Sequence, residues 1–183
     1  MIDALTFMMG EFEAEFPKDR VYAKNHMWAE VLAPHDTGSV SSSSTGSSSS
    51  TGSSSGSGSG SGSGSSTVRF GFTAYAVRLL QDVYFLDWLT DAPADLTESQ
   101  EIGSIESKKA ESALFAPANG KLLKFNDQLM EDPSSINTDK HGDGWLFEME
   151  IKQPEFLTPE QYVELLEDVW KKTQRTIKGQ LND

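Results

Sequence analysis

The sequence predicts a mainly β protein, a small sandwich or barrel, followed by one C-terminal helix. Short apolar or alternating segments separated by turns recur between residues 68 and 151, which is typical of a small β-sandwich or barrel. After residue 157 the apolar spacing changes to that of an amphipathic helix. Residues 38–67 are almost entirely Ser, Gly and Thr, so only the rest of the 183 residues can build a core.

Length and composition indicate a single domain, residues 1–183, rather than two domains on either side of the Ser/Gly-rich tract. The tract itself, residues 38–67, is predicted to be a disordered coil. Closing a long loop costs little more free energy than closing a short one. The tract can therefore be an insertion in a hairpin as well as a joint between domains.

The composition excludes several classes of protein. A formal net charge of −13, from 28 acidic and 15 basic residues, argues against binding to nucleic acids or anionic membranes. The absence of cysteine excludes disulfides, thiolate metal sites and cysteine nucleophiles. No apolar run approaches the roughly 20 residues of a membrane span, and residues 1–15 do not resemble a targeting signal. The expectation is a soluble, cytoplasmic monomer.

The first elements after the tract are predicted from local patterns. Residues 68–72 alternate apolar and polar side chains, as a half-buried strand does. Thr73 can cap a short helix over residues 74–80, with Val77 and Leu80 on one face. Residues 83–88 are rich in aromatic and β-branched side chains and indicate the next strand.

The middle of the chain continues with short strands separated by turns. Residues 117–120 indicate a turn, and residues 127–131 a helical turn that Pro133 ends. In the last strand the residues at 145, 147, 149 and 151 would share one face. The strands are expected at residues 102–106, 113–115, 121–125 and 145–151.

The C-terminal helix is predicted over residues 158–179. Thr158 and Gln161 have the spacing of a capping box, with Pro159 at the first helical position. Basic residues crowd the last turns, and Gly179 is the natural stop. The helix is expected to pack on the β core, with partner docking as the alternative. Its apolar stripe consists of Tyr162, Leu165, Leu166, Val169 and Trp170.

No catalytic constellation is found, and no catalytic or metal-binding residue is predicted. His26, His35 and His141 lack the spacing of metal ligands. One segment is more suggestive, because strands on both sides place Lys108 and Lys109 at the tip of a hairpin. Such a tip suits a lysine that a modifying enzyme must reach, although lysines at turns are also commonly just exposed.

The wider sequence around this hairpin resembles the H protein of the glycine cleavage system. The resemblance covers about 100 residues outside the extreme N-terminus, the tract and the C-terminal helix. Biotin carriers would have methionines beside the lysine, and lipoyl domains of 2-oxoacid dehydrogenases lack the downstream matches. The matching residues are Glu106-Ser107-x-Lys109-Ala110, Ala116-Pro117-x-x-Gly120, Asn126, Pro133, Ile136-Asn137, Gly142-x-Gly144-Trp145-Leu146, Val21-Tyr22-Ala23, His26-x-Trp28, Gly71-Phe72-Thr73 and residues 83–86.

The resemblance implies a hybrid barrel-sandwich fold of the lipoyl/biotinyl-carrier type and a lipoyl group (lipoate as the cofactor) on Lys109. Glu106, Ser107 and Ala110 would be the recognition elements for lipoylation, and His26 and Trp28 would belong to a cleft for the arm. The implied function is a non-catalytic carrier that shuttles an aminomethyl group from glycine decarboxylase to aminomethyltransferase. Dihydrolipoyl dehydrogenase and a lipoate ligase or lipoyl transferase would be further transient partners.

Several positions depart from the family pattern where polar side chains would hold the amine of a loaded arm. A buried amine without a hydrogen-bond partner is unfavourable. One hypothesis is therefore a lipoyl relay or sulfur-intermediate carrier outside glycine cleavage, and another is an unmodified β-rich adaptor. The departing residues are Met27, Ala74, Leu79 and Ala113.

Overall fold

The computed structural model describes residues 3–32, 64–152 and 154–180, with side chains as far as residue 175. The predicted disorder of residues 38–67 falls outside the described residues, apart from the last four positions. Those positions correct one boundary, because the first strand after the tract begins at Ser66 and not at Val68. Ser66 and Thr67 pair with Ile151 and Glu150, so the sheet extends into the end of the tract.

The described residues form strands in the following order, interrupted by four helices. The strands are β1 Ala4–Met9, β2 Phe12–Pro17, β3 Val21–Tyr22, β4 Met27–Val31, β5 Ser66–Phe72, β6 Val83–Trp88, β7 Ala94–Leu96, β8 Glu101–Ser107, β9 Glu111–Phe115, β10 Gly120–Phe125 and β11 Phe147–Ile151. The helices are α1 Ala74–Leu80, α2 Gln128–Glu131, α3 Ser135–Thr138 and α4 Pro159–Gln180. None of the helices in these ranges is long and apolar enough to cross a membrane.

Two sheets enclose the main core. The larger sheet has the strand order β3-β4-β5-β11-β10-β7, and the smaller has the order β6-β8-β9. All the pairings in both sheets are antiparallel. Buried side chains from both sheets form one cluster; in β5 and β11 alternate residues supply it, whereas irregularities in β6 and β8 change the spacing. Its members include Val68, Phe70, Leu86, Ile102, Ile105, Leu114, Phe147 and Met149.

The local predictions after the tract agree closely with the structure. Helix α1 has the predicted bounds, and the Thr73 hydroxyl accepts a hydrogen bond from the Ala76 amide at 3.2 Å. Strand β11 begins at Phe147, two residues after the predicted start. Glu148 is also buried, which strict alternation does not predict, and Arg69 bonds its carboxylate at 2.7 Å. An ion pair therefore offsets the burial of that charge.

A second core lies outside the two sheets. The hairpin of β1 and β2, which the sequence analysis did not predict, packs its apolar face against α1 and α4. Phe16 is fully buried, and its ring meets that of Tyr162 edge-on at 5.2 Å. Tyr162 also stacks on Tyr22 at 4.8 Å between ring centroids. The N-terminal hairpin and the C-terminal helix thus bury apolar side chains against each other.

Helix α4 starts with the hydrogen bonds of a capping box. The Thr158 amide donates to Gln161 Oε1 at 3.0 Å, and the Gln161 amide donates to the Thr158 hydroxyl at 3.3 Å. The helix is described through Gln180, one residue beyond the expected stop at Gly179. Tyr162 and Leu166 are fully buried, so this part of the apolar stripe packs against the protein itself.

We expect the Ser/Gly-rich tract to be dispensable for folding. Strands β4 and β5 pair through Val31 and Val68, and the Leu32 amide donates to the Thr67 carbonyl at 2.9 Å. Replacing residues 36–63 by a short Asn-Gly turn should therefore close the same hairpin and raise Tm by a few degrees, because a shorter loop costs less closure entropy. Thermal unfolding followed by circular dichroism measures this. A variant with the tract scrambled at constant length is the control, and loss of cooperative unfolding would contradict the prediction.

Candidate functional site

The hairpin between β8 and β9 ends in a tight turn that presents the two neighbouring lysines. The Ser107 amide donates to the Ala110 carbonyl at 3.0 Å, which closes the turn around Lys108 and Lys109. The Ser107 hydroxyl donates to the same carbonyl at 3.0 Å and accepts from the Ala110 amide at 3.3 Å. Ser107 is buried. Two of the residues predicted for recognition, Ser107 and Ala110, therefore fix the backbone that carries the lysines.

The two lysines at the tip have different surroundings. The Lys108 amide donates to the Gln81 carbonyl at 3.0 Å, and its ammonium forms an ion pair with Asp82 at 2.5 Å. Lys109 is exposed, and within the described residues its side chain forms no hydrogen bond or ion pair. Lys109 is thus the lysine whose amine is free to enter another active site.

Glu106 flanks the turn on the β8 side. It is half-buried, lies opposite Glu111 of β9 and is paired in register with Phe85 of the edge strand β6. In the described part of the chain the Glu106 carboxylate has no hydrogen bond or ion pair. The carboxylate can therefore serve as a recognition point beside Lys109 without first breaking an internal contact.

A pocket of about 410 Å³ opens next to the hairpin. Gln81 and Asp82, which hold Lys108, belong to its wall. Four of the lining residues follow the i, i+3, i+4, i+7 spacing of one helical face running from α1 to the residue after it. The lining residues are Phe12, Ala74, Val77, Arg78, Gln81, Asp82, Asn137 and Lys140.

Phe12 and Lys140 are pocket residues that the sequence analysis did not identify. Phe12 comes from the N-terminal hairpin, and the Arg78 guanidinium lies 4.6 Å from the centre of its ring. Lys140 follows α3 in the chain. No spacing pattern connects these two residues to Lys109, since they lie far from it and from each other in the sequence.

His26 and Trp28, predicted for an arm cleft, do not line this pocket. Trp28 is fully buried, and its indole N–H donates to the Lys140 carbonyl at 2.9 Å. His26 Nδ1 lies 2.9 Å from the Tyr162 hydroxyl, which is also 3.0 Å from the Thr73 hydroxyl. Burial lowers the pKa of His26, so its imidazole is neutral near pH 7. Trp28 thus contacts one pocket residue through its backbone, and the cleft role of both residues stays a prediction.

The positions that depart from the family pattern occupy different environments. Ala74 lines the pocket, so the residue there offers only a methyl group. Met27 is buried in the main core, whereas Leu79 and Ala113 are exposed.

Across the described ranges no cluster of three or more His, Cys, Asp or Glu could hold a metal ion.

The fold and the exposed hairpin lysine define a class of protein, the carrier domains with a barrel-sandwich hybrid fold. The glycine cleavage H-protein family model matches residues 61–169. The glycine cleavage system H protein of Rubrobacter xylanophilus is 30% identical over 156 residues, which cover 85% of this chain and 98% of the relative. That of Methylacidiphilum infernorum is 32% identical over 156 residues, with 83% and 96% covered. The chain belongs to the glycine cleavage H-protein family.

A solved structure supports the same conclusion. The crystal structure of a glycine cleavage system H protein from Mycobacterium marinum is 27% identical and has a TM-score of 0.59. The similarity covers 81% of this chain and 97% of that one. The predicted family and the predicted barrel-sandwich fold are therefore confirmed.

Proposed function

We propose that the chain is a non-catalytic carrier whose Lys109 is joined to a lipoyl group and which shuttles an aminomethyl group from glycine decarboxylase to aminomethyltransferase. The observation that carries this proposal is the exposed Lys109, whose amine has no partner among the described residues, on a turn that the hydrogen bonds of Ser107 close. When bound, the lipoyl group supplies a dithiolane at the end of a long arm. Family membership supports the assignment.

The residues present fit such a group. An exposed amine can form the amide bond, and losing its positive charge breaks no ion pair with any residue that the structure describes. The neighbouring pocket offers Phe12, Ala74 and Val77 as apolar surface on which an aliphatic chain can lie. The hairpin thereby holds the attachment point at a fixed place beside a surface suited to the arm.

Tethering and charge explain how one small domain serves several enzymes. A group tied to Lys109 reaches a docked active site at a high effective concentration. The net charge of −13 favours fast encounters with basic docking surfaces more than it favours tight binding. The proposed partners are glycine decarboxylase, aminomethyltransferase, dihydrolipoyl dehydrogenase and a lipoate ligase or lipoyl transferase, each visited transiently.

Reconstitution with glycine decarboxylase tests the proposed pathway. The lipoylated chain should support exchange of bicarbonate into glycine, and Lys109→Arg should reduce the exchange to the level without carrier. A conventional H protein lipoylated in the same way is the positive control. Exchange by the control together with none by this lipoylated chain would contradict a role in glycine cleavage.

The second candidate is a lipoyl relay or sulfur-intermediate carrier outside glycine cleavage. The observation that favours it is Ala74, which lines the pocket where the family pattern has a polar side chain and whose methyl group cannot accept a hydrogen bond from an amine. Transfer of the lipoyl group from this chain to an apo lipoyl domain by a lipoyl transferase, observed by intact mass, would support this candidate. The same failure of bicarbonate exchange combined with successful transfer would establish it over the first.

A further inference from the structure

The connection between α1 and β6 contacts the lysine turn and has an unfavourable backbone conformation. Gln81 and Asp82 both lie in the left-handed region, with φ of 52° and 51°. Residues other than glycine rarely occupy this region, and they stay there only where neighbouring contacts impose it. From the turn, the Lys108 amide donates to the Gln81 carbonyl at 3.0 Å, while the exposed ion pair of Lys108 with Asp82 adds little. The connection therefore depends on what fixes its other end.

Asn137 fixes that other end through the first residue of β6. The Val83 amide donates to Asn137 Oδ1 at 2.9 Å, and Asn137 Nδ2 donates to the Val83 carbonyl at 2.8 Å. The side-chain amide thus binds both backbone groups of one residue, as a neighbouring antiparallel strand would. Asn137 belongs to α3, where the adjacent Ile136 is fully buried in the main core. The clamp on Val83 is therefore attached to a well-anchored element.

Val83 in turn lies beside the residue that closes the lysine turn. It is buried and is paired in register with Ser107 of β8. The register is interrupted between Val83 and Phe85, so a continuous ladder of strand hydrogen bonds does not hold this last pair before the turn. The two hydrogen bonds from Asn137 restrain Val83 at this interruption. Neighbouring contacts therefore lead from Asn137 through Val83 to Ser107 and the turn.

We propose that Asn137 is a positioning residue for lipoyl attachment, which holds the lysine turn in place through Val83. This inference rests on the proposed lipoylation of Lys109. In the attachment step the neutral Lys109 amine attacks the carbonyl of a lipoyl adenylate, the C–N bond forms, AMP leaves and the nitrogen loses one proton. The rate of such a step depends on where the attacking atom is held, and a displacement of about 1 Å can cost roughly a hundredfold. Asn137 does not touch the reacting atoms and acts by restricting where the amine can be.

The kinetics of lipoyl attachment to the unmodified chain, measured with a lipoate ligase, lipoate and ATP, test this role. Asn137→Ala should lower kcat roughly tenfold and leave KM close to that of the parent, because a displaced turn still docks but reacts more slowly. A merely destabilising substitution would reduce the concentration of folded substrate, which raises the apparent KM and leaves kcat unchanged. Asn137→Asp keeps the size of the side chain but cannot donate to the Val83 carbonyl when ionised, so it should also lower kcat.

Asn126→Ala is the matched control. The Asn126 side chain also holds backbone groups, since its Nδ2 donates to the Asp143 and Trp145 carbonyls at 2.8 and 2.7 Å. Within the described residues none of its hydrogen bonds involves the connection or the lysine turn. Asn126→Ala should therefore lower Tm by an amount similar to Asn137→Ala and leave kcat unchanged. An unchanged kcat in Asn137→Ala, or an equal loss in Asn126→Ala, would overturn the proposal.

Amide hydrogen exchange separates a failure of this inference from a failure of the proposed function. In the unmodified chain the Lys108 amide, which is bonded to the Gln81 carbonyl, should exchange roughly threefold to tenfold faster in Asn137→Ala than in the parent. Asn126→Ala should leave this rate unchanged. If the ligase leaves Lys109 of the parent unmodified, the proposed function fails, and the exchange still shows whether Asn137 holds the turn. Exchange of the Lys108 amide at the parent rate in Asn137→Ala would refute the positioning role.

Discussion

Lys109→Arg is expected to abolish lipoylation completely, whereas Lys108→Arg should leave it intact. Arginine keeps the positive charge but lacks the amine that forms the amide bond. The turn itself should survive, because Ser107 and Ala110 close it through backbone and hydroxyl groups that neither substitution changes. Intact-mass and peptide mass spectrometry after expression in a host with active lipoylation, with both variants beside the parent chain, provides the measurement.

The comparison of the two lysines makes this experiment specific. Lys108 is held by Asp82 and by the Gln81 carbonyl, so its amine is less able to enter a ligase than that of Lys109. Modification of Lys108 in the Lys109→Arg variant would contradict the assignment. Equal loss of lipoylation in both variants would also contradict the assignment, because it would show that the enzyme needs the Lys108 amine and not only the positive charge that arginine keeps.

The elements next to the site could be predicted because their signals are local. Thr73 lies three residues before the amide that it caps, and α1 was predicted with the bounds that the structure shows. The lysine hairpin was predicted from two short strands around a polar turn, and Ser107 bonds to Ala110 only three residues away. Such contacts lie within one segment of the sequence, where spacing and residue type are sufficient evidence.

The second core and the pocket depend on contacts that no local pattern reveals. Phe12, Ala14 and Phe16 alternate with glutamates as a half-buried strand would, but the surfaces that they pack against belong to α1 and α4, which are distant in the sequence. The alternation alone does not show which surface buries the segment. The pocket was missed for the same reason, since Phe12 belongs to this hairpin and Lys140 to a distant loop.

The surroundings of Trp28 differ from those expected of a residue that lines a cleft for the arm. The His-x-Trp spacing helped to identify the family, and the family suggested a cleft for the arm. The structure instead shows the indole fully buried, with its N–H bonded to the Lys140 carbonyl and the Arg20 guanidinium 4.2 Å from its ring centre. A Cβ atom at Gly71 would overlap this ring, so the neighbouring strand is shaped to receive it. These contacts are those of a structural residue.

Trp28→Ala should therefore lower the free energy of unfolding by about 3–5 kcal/mol, as expected when a large buried aromatic side chain is truncated. The substitution leaves a cavity next to Gly71 and removes the hydrogen bond to Lys140. Urea denaturation followed by circular dichroism measures the change, and Trp28→Phe should cost less because the aromatic ring is retained. Trp170→Ala is the matched control, since Trp170 is only half-buried on α4.

The same variant distinguishes a structural role of Trp28 from a role in an arm cleft. In the folded fraction of Trp28→Ala, Lys109 should still be lipoylated. The hydrogen bonds that close the lysine turn join Ser107 to Ala110 and do not involve Trp28. The opposite result would be a change of less than about 1 kcal/mol in the free energy of unfolding. If lipoylation of Lys109 slows amide hydrogen exchange in α1 of the parent chain but not of this variant, Trp28 would belong to the cleft instead. The burial of the ring and its bond to Lys140 favour the first outcome, in which Trp28 acts on the pocket only by holding Lys140 in its wall.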